Sequence, residues 1–165
     1  MMALCYILAS VLGSLLYLPS EDVQEINRVY RHPEVDMEIT ASANWESAYD
    51  LSGSGKFRII NRNHNMHITL WYSHTASAPI AFLKQYADEQ GFICTGDPTD
   101  TVLNNFNAGC FSAACVSGKV PVRLYLAALQ GDSGLYMIEV KCPEDCFSQH
   151  QEQLKEVLSS LRVGM

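Results

Sequence analysis

Charge is missing from the first twenty residues of this chain. Met1 to Pro19 is apolar apart from Ser10 and Ser14, and all 11 Lys and Arg and all 18 Asp and Glu lie from Glu21 onward. Basic residues are scarce throughout, and the net charge of −7 argues against a nucleic-acid binder, which carries a basic field to meet phosphate. Catalytic signatures are missing too. There is no Gly-x-Ser-x-Gly, and Cys115 and Cys146 have no histidine motif beside them. Gly53-x-Gly55 is too short for a phosphate loop and precedes a strand pattern, so it reads as a turn. No catalytic residue, metal or cofactor is expected from these residues, and no repeat or low-complexity tract divides the chain.

Within the uncharged segment, the run from Leu4 to Leu18 is long for the apolar part of a signal peptide and short of the roughly 20 residues that span a bilayer. Ala9, Ser10, Gly13 and Ser14 offer small residues to a signal peptidase, with Val11 and Gly13 as one −3/−1 pair. A basic n-region is lacking. Residues 1–19 are therefore read as an export signal or a membrane anchor, against the competing reading of a buried first helix. Residues 20–165 form one domain of ordinary size, and a hydrophobic fraction of 48% supplies a core.

Charge is unevenly distributed over that domain. Residues 21–50 carry eight acids against Arg28 and Arg31, and residues 88–165 carry ten acids against five bases. Between them, residues 51–87 carry Lys56, Arg58, Arg62 and Lys84 and no acid. Of the six cysteines, five follow the leader: Cys94, Cys110, Cys115, Cys142 and Cys146. Their spacing fits neither a CxxC redox motif nor paired zinc knuckles.

Hydropathy patterning predicts an α+β chain. Ser20 caps a helix to Arg31 with a stripe of Val23, Ile26, Val29 and Tyr30, stopped at His32-Pro33. Residues 37–40 form a short strand leading to Ala43-Asn44-Trp45. Phe57–Ile60 and Met66–His74 pair as a hairpin. Ser77 caps a second helix with Pro79 in its first turn, Ile80, Leu83, Tyr86 and Ala87 on one face, and Gly91 at its end. After a strand at 92–94 and a loop at 96–100, three strands make a meander: 110–116, 120–129 and 135–142. Its expected register sets Val122, Leu124 and Leu126 against Cys142, Val140 and Ile138, with Arg123, Tyr125, Glu139 and Lys141 on the other face. A last helix starts at Pro143-Glu144-Asp145, with Phe147, His150, Leu154, Val157, Leu158 and Leu161 as its stripe. The pattern is an antiparallel sheet with packed helices. If a disulfide forms, Cys94–Cys110 or Cys142–Cys146 is expected: the first if the two strands pair, the second across a tight strand-to-helix turn.

This order resembles the PsbP-like superfamily, an α/β/α sandwich that includes DcrB-type bacterial envelope proteins. The residues that carry the resemblance are Glu38-Ile39-Thr40 with Asn44-Trp45, the hairpin from Phe57 to Ser73 and the helix Ala78 to Gln90. The meander from Cys110 to Cys142 and the closing Leu154-x2-Val157-Leu158-Ser159-Ser160-Leu161-Arg162 complete it. It spans about residues 34–162 and implies a binding or accessory protein. The Ran-binding and photosystem roles found in the group do not carry over, because no partner-contacting residue of either is matched.

Two features bear on chemistry. His64, His67 and His74 form the only histidine cluster, but His67 and His74 alternate to opposite faces of their strand and His64 lies in the turn, so they read as solvated histidines. On the hairpin, Phe57 and Ile59 pair inward with Leu70 and Ile68, leaving Lys56, Arg58, Ile60, His67, Thr69 and Trp71 on the opposite face. A tryptophan among cations suits a recognition patch. The competing reading is that the first helix covers this face and Trp71 packs beneath it.

The expected function is a non-enzymatic exported or envelope-associated binding protein with a protein partner, contacted through Lys56, Arg58, His67 and Trp71, and with a membrane tether through its N-terminal segment where that segment is an anchor. A small hydrolase with a spatially assembled site and a carrier of an apolar ligand are the alternatives. Because the leader carries no charge and later elements supply both halves of each core face, residues 20–165 alone should melt cooperatively on heating. An aggregated or unfolded product would show that residues 4–18 belong to the core.

Overall fold

Two hydrophobic layers on opposite faces of one antiparallel sheet organise the protein. A computed structural model describes residues 27–49, 55–103, 105–117, 120–147 and 149–164. The leader, most of the first predicted helix and the turn around Gly53 lie outside the described residues. The strands are β1 (Asn27–Arg31), β2 (Met37–Ser42), β3 (Trp45–Tyr49), β4 (Phe57–Asn61), β5 (Met66–Ser73), β6 (Ile93–Cys94), β7 (Thr99–Leu103), β8 (Phe106–Ser117), β9 (Val120–Gln130), β10 (Leu135–Pro143) and β11 (Arg162–Val163). The helices are α1 (Pro79–Gln90), α2 (Glu144–Phe147) and α3 (Gln151–Ser159). Eight strands form the main sheet in the order β3-β4-β5-β10-β9-β8-β6, with β7 also paired to β8, and β1-β2-β11 form a small second sheet.

One face of the main sheet is covered by the small sheet and α3. There Ile59, Ile68, Leu70, Ile138 and Val140 meet Met37 and Ile39 of β2 and Leu154 and Val157 of α3. The other face is covered by α1, whose Leu83 and Ala87 pack with Trp71, Phe111, Leu124, Leu126 and Met137. Gly109 admits the close approach of α1: a Cβ there would lie 2.9 Å from Ile80 Cγ1 and 3.0 Å from its backbone N. The fold is thus α+β, with few helices and a second sheet where a symmetric sandwich would carry helices.

The ends of α1 set the geometry of the site described below. Ala78, extended at ψ 148°, is its N-cap, as expected of a residue before proline. Ser77 does not cap it; Ser77 is held instead in a local turn by Thr75 Oγ1, which accepts its N–H at 3.2 Å. At the other end Gly91 turns left-handed at φ 66°. The Phe92 N–H then reaches Ala87 O at 2.9 Å and the Gly91 N–H reaches Asp88 O at 3.1 Å, the Schellman closure.

Several expectations are corrected. Residues 27–31 are a strand, not the end of a helix. β1 pairs antiparallel with β2 and Tyr30 alone turns inward, its hydroxyl donating to Trp45 O at 2.5 Å. His32, expected at the stop of that helix, is 6% exposed. Its Nδ1 accepts the Glu34 and Val35 N–H groups, which leaves Nε2 to donate to Gly55 O at 2.9 Å. Strands β3, β7 and β11 were not expected. The last helix is broken into α2 and α3, with Gln149 and His150 N–H both turning back to Cys146 O. His150 precedes α3 and lies against His64, with ring centroids 3.8 Å apart.

The β9–β10 register differs by one residue from the expected one. Leu135 pairs with Gln130, so Leu124 faces Lys141, Leu126 faces Glu139, and Tyr125 faces Val140. The reason is the four-residue turn from Gly131 to Gly134, closed by a Gly131 N–H to Gly134 O bond of 2.9 Å. The slip exchanges faces: Glu139 and Lys141 lie beneath α1 with Leu124 and Leu126, whereas Tyr125 joins the core of the small-sheet side.

Candidate functional site

The β4–β5 hairpin pairs Phe57 with Leu70, Arg58 with Thr69, Ile59 with Ile68 and Ile60 with His67. Continued through β10, this places Arg58, Thr69 and Glu139 in one line across the α1 face, and Ile60, His67 and Lys141 in the next. Trp71 and Met137 occupy the line before them, under the helix.

Glu139 is the centre of this face. It is 5% exposed, and a carboxylate buried to that degree requires a partner. Lys141 supplies its ammonium 2.8 Å from Oε1, and the Tyr86 hydroxyl of α1 donates to Oε2 at 3.1 Å. Burial, with the Glu139 charge next, pushes the Tyr86 phenol well above its ordinary range. Tyr86 tilts against Trp71 at 5.5 Å and meets Phe92 edge-on at 6.1 Å. Lys56 Nζ lies 4.7 Å from the Trp71 ring centroid and 5.8 Å from that of Tyr86, and Lys141 Nζ lies 5.8 Å from that of Phe92. Arg58 Nε donates to Thr69 Oγ1 at 3.4 Å. Among the described residues neither Lys56 nor Arg58 has a carboxylate partner.

The structure therefore brings Lys56, Arg58, His67 and Trp71 onto one face, in the register expected from sequence. It also changes the role of Trp71. The indole is 7% exposed, covered by α1 and Lys56, so it is a packed support and not an exposed anchor. The helix above it is α1, and the described end of the expected first helix, residues 27–31, is strand β1 of the second sheet. Glu139, Lys141, Tyr86 and Phe92 were missed. Their signal in the sequence was the pair of charged residues two apart inside an otherwise apolar strand.

His67 reports the field of this face. Its pKa is lowered, first by burial and then by Arg58 and Lys141, with Glu139 opposing them. Nε2 lies 3.3 Å from Asn65 Oδ1. Beside it, between the end of α1 and the sheet, opens a cleft of about 480 Å³ lined by His67, Lys141, Phe92, Cys115, Val122 and Pro143, among others. A second cavity, of about 380 Å³, lies between α3 and the sheet and is lined chiefly by Leu103, Tyr125, Val140, Phe147, Leu154 and Leu158.

The five described cysteines are free thiols. The Cys94–Cys110 expectation is corrected: β6 sets Cys94 opposite Ala113, whereas Cys110 faces Thr99 and Ala127. Three residues along a strand is about 10 Å, beyond the roughly 7 Å Cα limit of a disulfide. Cys142 is buried in the core, and its thiol is pushed up to about 11 by burial first and then by Cys146, Asp145 and Glu144. Among the described residues no three His, Cys, Asp or Glu side chains gather as a metal site, and no helix is long and apolar enough to cross a membrane.

No family model matches the chain, and no curated protein matches it. Solved structures do share its fold. Cyanobacterial PsbP (CyanoP) from Synechocystis sp. PCC 6803 superposes with a TM-score of 0.65 at 11% identity, over 88% of this chain and 96% of that one. The Saccharomyces cerevisiae Ran-binding protein Mog1p gives 0.59 at 10% identity, over 84% and 96%. LpqN, involved in cell envelope biogenesis of Mycobacterium tuberculosis, gives 0.56 at 12% identity, over 85% and 91%. The fold is PsbP-like.

The depressed pKa of His67 has a thermodynamic consequence. Below its ordinary value of 6.5 the unfolded imidazole takes a proton before the folded one does, so folding loses stability as pH falls through that value. Above it, the residue contributes nothing. His67→Gln should therefore lose less stability than the wild type between pH 8 and pH 5 in urea titrations. Parallel losses would show that His67 is not held neutral.

Proposed function

We propose that this protein is a non-enzymatic accessory protein, exported or held at the cell envelope, that binds a protein partner through Lys56, Arg58, His67 and Lys141. The observation that carries the reading is a cationic line on an acidic chain. Lys56 and Arg58 lack carboxylate partners among the described residues, and after burial, which is the larger cause, the Arg58 and Lys141 charges help lower the pKa of His67. A rigid, pre-ordered row of this kind suits recognition of a partner with acidic side chains. The PsbP-like fold supports the accessory role, since Mog1p is a Ran-binding protein and LpqN is involved in envelope biogenesis. The uncharged leader supports export.

Double reversal, Lys56→Glu with Arg58→Glu, should abolish capture of the native partner from envelope extracts while leaving the thermal melt near that of the wild type. Trp71→Ala should act differently, by lowering stability about 3–5 kcal/mol as a buried aromatic. Unchanged capture by the double reversal would remove this face as the binding surface.

A second reading, a carrier of an apolar ligand, is favoured by the cavity between α3 and the sheet. If it holds, an apolar fluorescent probe should bind and Leu158→Trp, filling the cavity, should block it. Probe binding that is indifferent to this substitution would discard the carrier role.

A further inference from the structure

The cleft beside the cationic line has two unlike sides. The strand register puts Cys115, Val122 and Pro143 in one line across the sheet, and His67, Lys141 and Leu124 in the line next to it. Such lines are two residues apart, about 6.8 Å. Phe92 stands over Lys141 as the wall contributed by the end of α1. An apolar floor thus lies within one side-chain length of the Lys141 ammonium, in a cleft of about 480 Å³, which is within the usual size of ligand sites, roughly 300–1,000 Å³.

A group that satisfies both sides must carry a carboxylate and an apolar substituent close together. An internal Asp or Glu carries its carboxylate on its own side chain and its apolar neighbours on other residues that point elsewhere. A chain terminus carries the carboxylate and its last side chain on one Cα. We infer that the cleft receives the C-terminal carboxylate of the partner protein, with an apolar last side chain seated over Val122 and Cys115. The inference deepens the protein-binding reading and rests on it.

The charges around the cleft favour this occupant. Arg58 of β4 and Lys141 of β10 face His67 and are opposed by Glu139, which Lys141 already pairs. Arg58 leaves the surroundings positive with His67 neutral. Asp88 and Glu89, in the last turn of α1, are exposed and weakly felt through solvent. A carboxylate arriving beside His67 offsets the Arg58 and Lys141 charges, so the pKa of the imidazole rises on binding.

Lys141 is a poor target for a test, because its removal strands the Glu139 carboxylate and unfolding would obscure the result. Val120 is 50% exposed and stands at the rim of the cleft, so it accepts a charge without loss of the fold. The probes are the peptide acetyl-Gly-Ser-Ala-Val with a free carboxylate, the same peptide amidated, and isovalerate as a free small acid. Each is titrated into the full chain by NMR, following the His67 and Phe92 rings.

The free-acid peptide should bind, shift both rings and raise the His67 pKa. The amide should bind about tenfold more weakly, the value of one charge-assisted hydrogen bond. Val120→Glu should weaken the acid peptide and Val120→Lys should tighten it, while neither moves the amide. Equal binding of acid and amide, or no binding of either, overturns the inference. Isovalerate binding as tightly as the acid peptide also overturns it, and assigns the cleft to small acids instead. These outcomes are independent of the Lys56 and Arg58 reversal: if the acid peptide binds while that reversal leaves partner capture intact, the cleft stands and the cationic line falls.

Discussion

A carboxylate in the middle of a sheet covered on both faces constrains this structure more than any other single group. Glu139 sits between Thr69 of β5 and Leu126 of β9, and its neighbours Ile138 and Val140 point into the opposite core. It cannot be hydrated, and an unpaired buried carboxylate costs several kcal/mol. Its two partners come from different levels of the fold. Lys141 is supplied by the pleat, two residues along the same strand and so on the same face. Tyr86 is supplied by α1, whose position is therefore tied to the sheet by a hydrogen bond as well as by Leu83 and Ala87. Once Tyr86 is placed, Trp71, Phe92 and Lys56 follow as its ring neighbours. The positive face is then Lys56 and Arg58, which Glu139 does not pair, together with Lys141, whose ammonium it holds in place.

The same arrangement explains which registers are legible in the sequence. In the β4–β5 hairpin β4 alternates in burial, with Phe57 and Ile59 buried and Arg58 and Ile60 half-buried. β5, although buried throughout Ile68 to Trp71, alternates in hydropathy through Met66, Ile68 and Leu70 against His67 and Thr69, so the pairing follows from the polar positions. In β9 the run Leu126-Ala127-Ala128-Leu129 is buried at every residue. Two cores claim it, so hydropathy carries no phase, and matching apolar with apolar residues across the strands selects the wrong register by one. The turn from Gly131 to Gly134 decides the register instead. Because the side-chain period is two, that single step moves Glu139 and Lys141 from the face expected to hold Arg123 and Tyr125 to the face of Leu124 and Leu126.

Other differences have a similar origin. Val29 and Tyr30 fit a helical stripe begun at Val23, but β-branched and aromatic residues also suit a strand, and pairing with β2 decides between them. β6 is only two residues long, and β7 is exposed along nearly all of its length, so its Thr99-Asp100-Thr101 reads as a loop until β8 is present to pair with it. The positions of Lys56, Arg58 and His67 on one face were readable because they depend on one local hairpin. Glu139, Lys141 and Tyr86 were not, because their proximity depends on β10 pairing with β5 and on α1 crossing above, contacts that are remote in sequence. What was visible without tertiary contacts was the bias of residues 51–87 toward positive charge.

That bias matters at short range. At physiological ionic strength charges are screened over about 8 Å, so the −7 of the whole chain does not cancel a local line of cations, nor do those cations project far. An anionic partner gains little long-range steering from such a surface, and feels it only once the two surfaces nearly touch. Selectivity must then come from how firmly the charges are held. Lys56 is fixed over two rings and Lys141 between a carboxylate and a ring, so ordering them on contact costs less than it would for free surface lysines. A buried acid that pins one lysine, and an indole that pins another, convert flexible cations into a shaped electrostatic surface, and the acid is for that reason as much a part of the site as the bases around it.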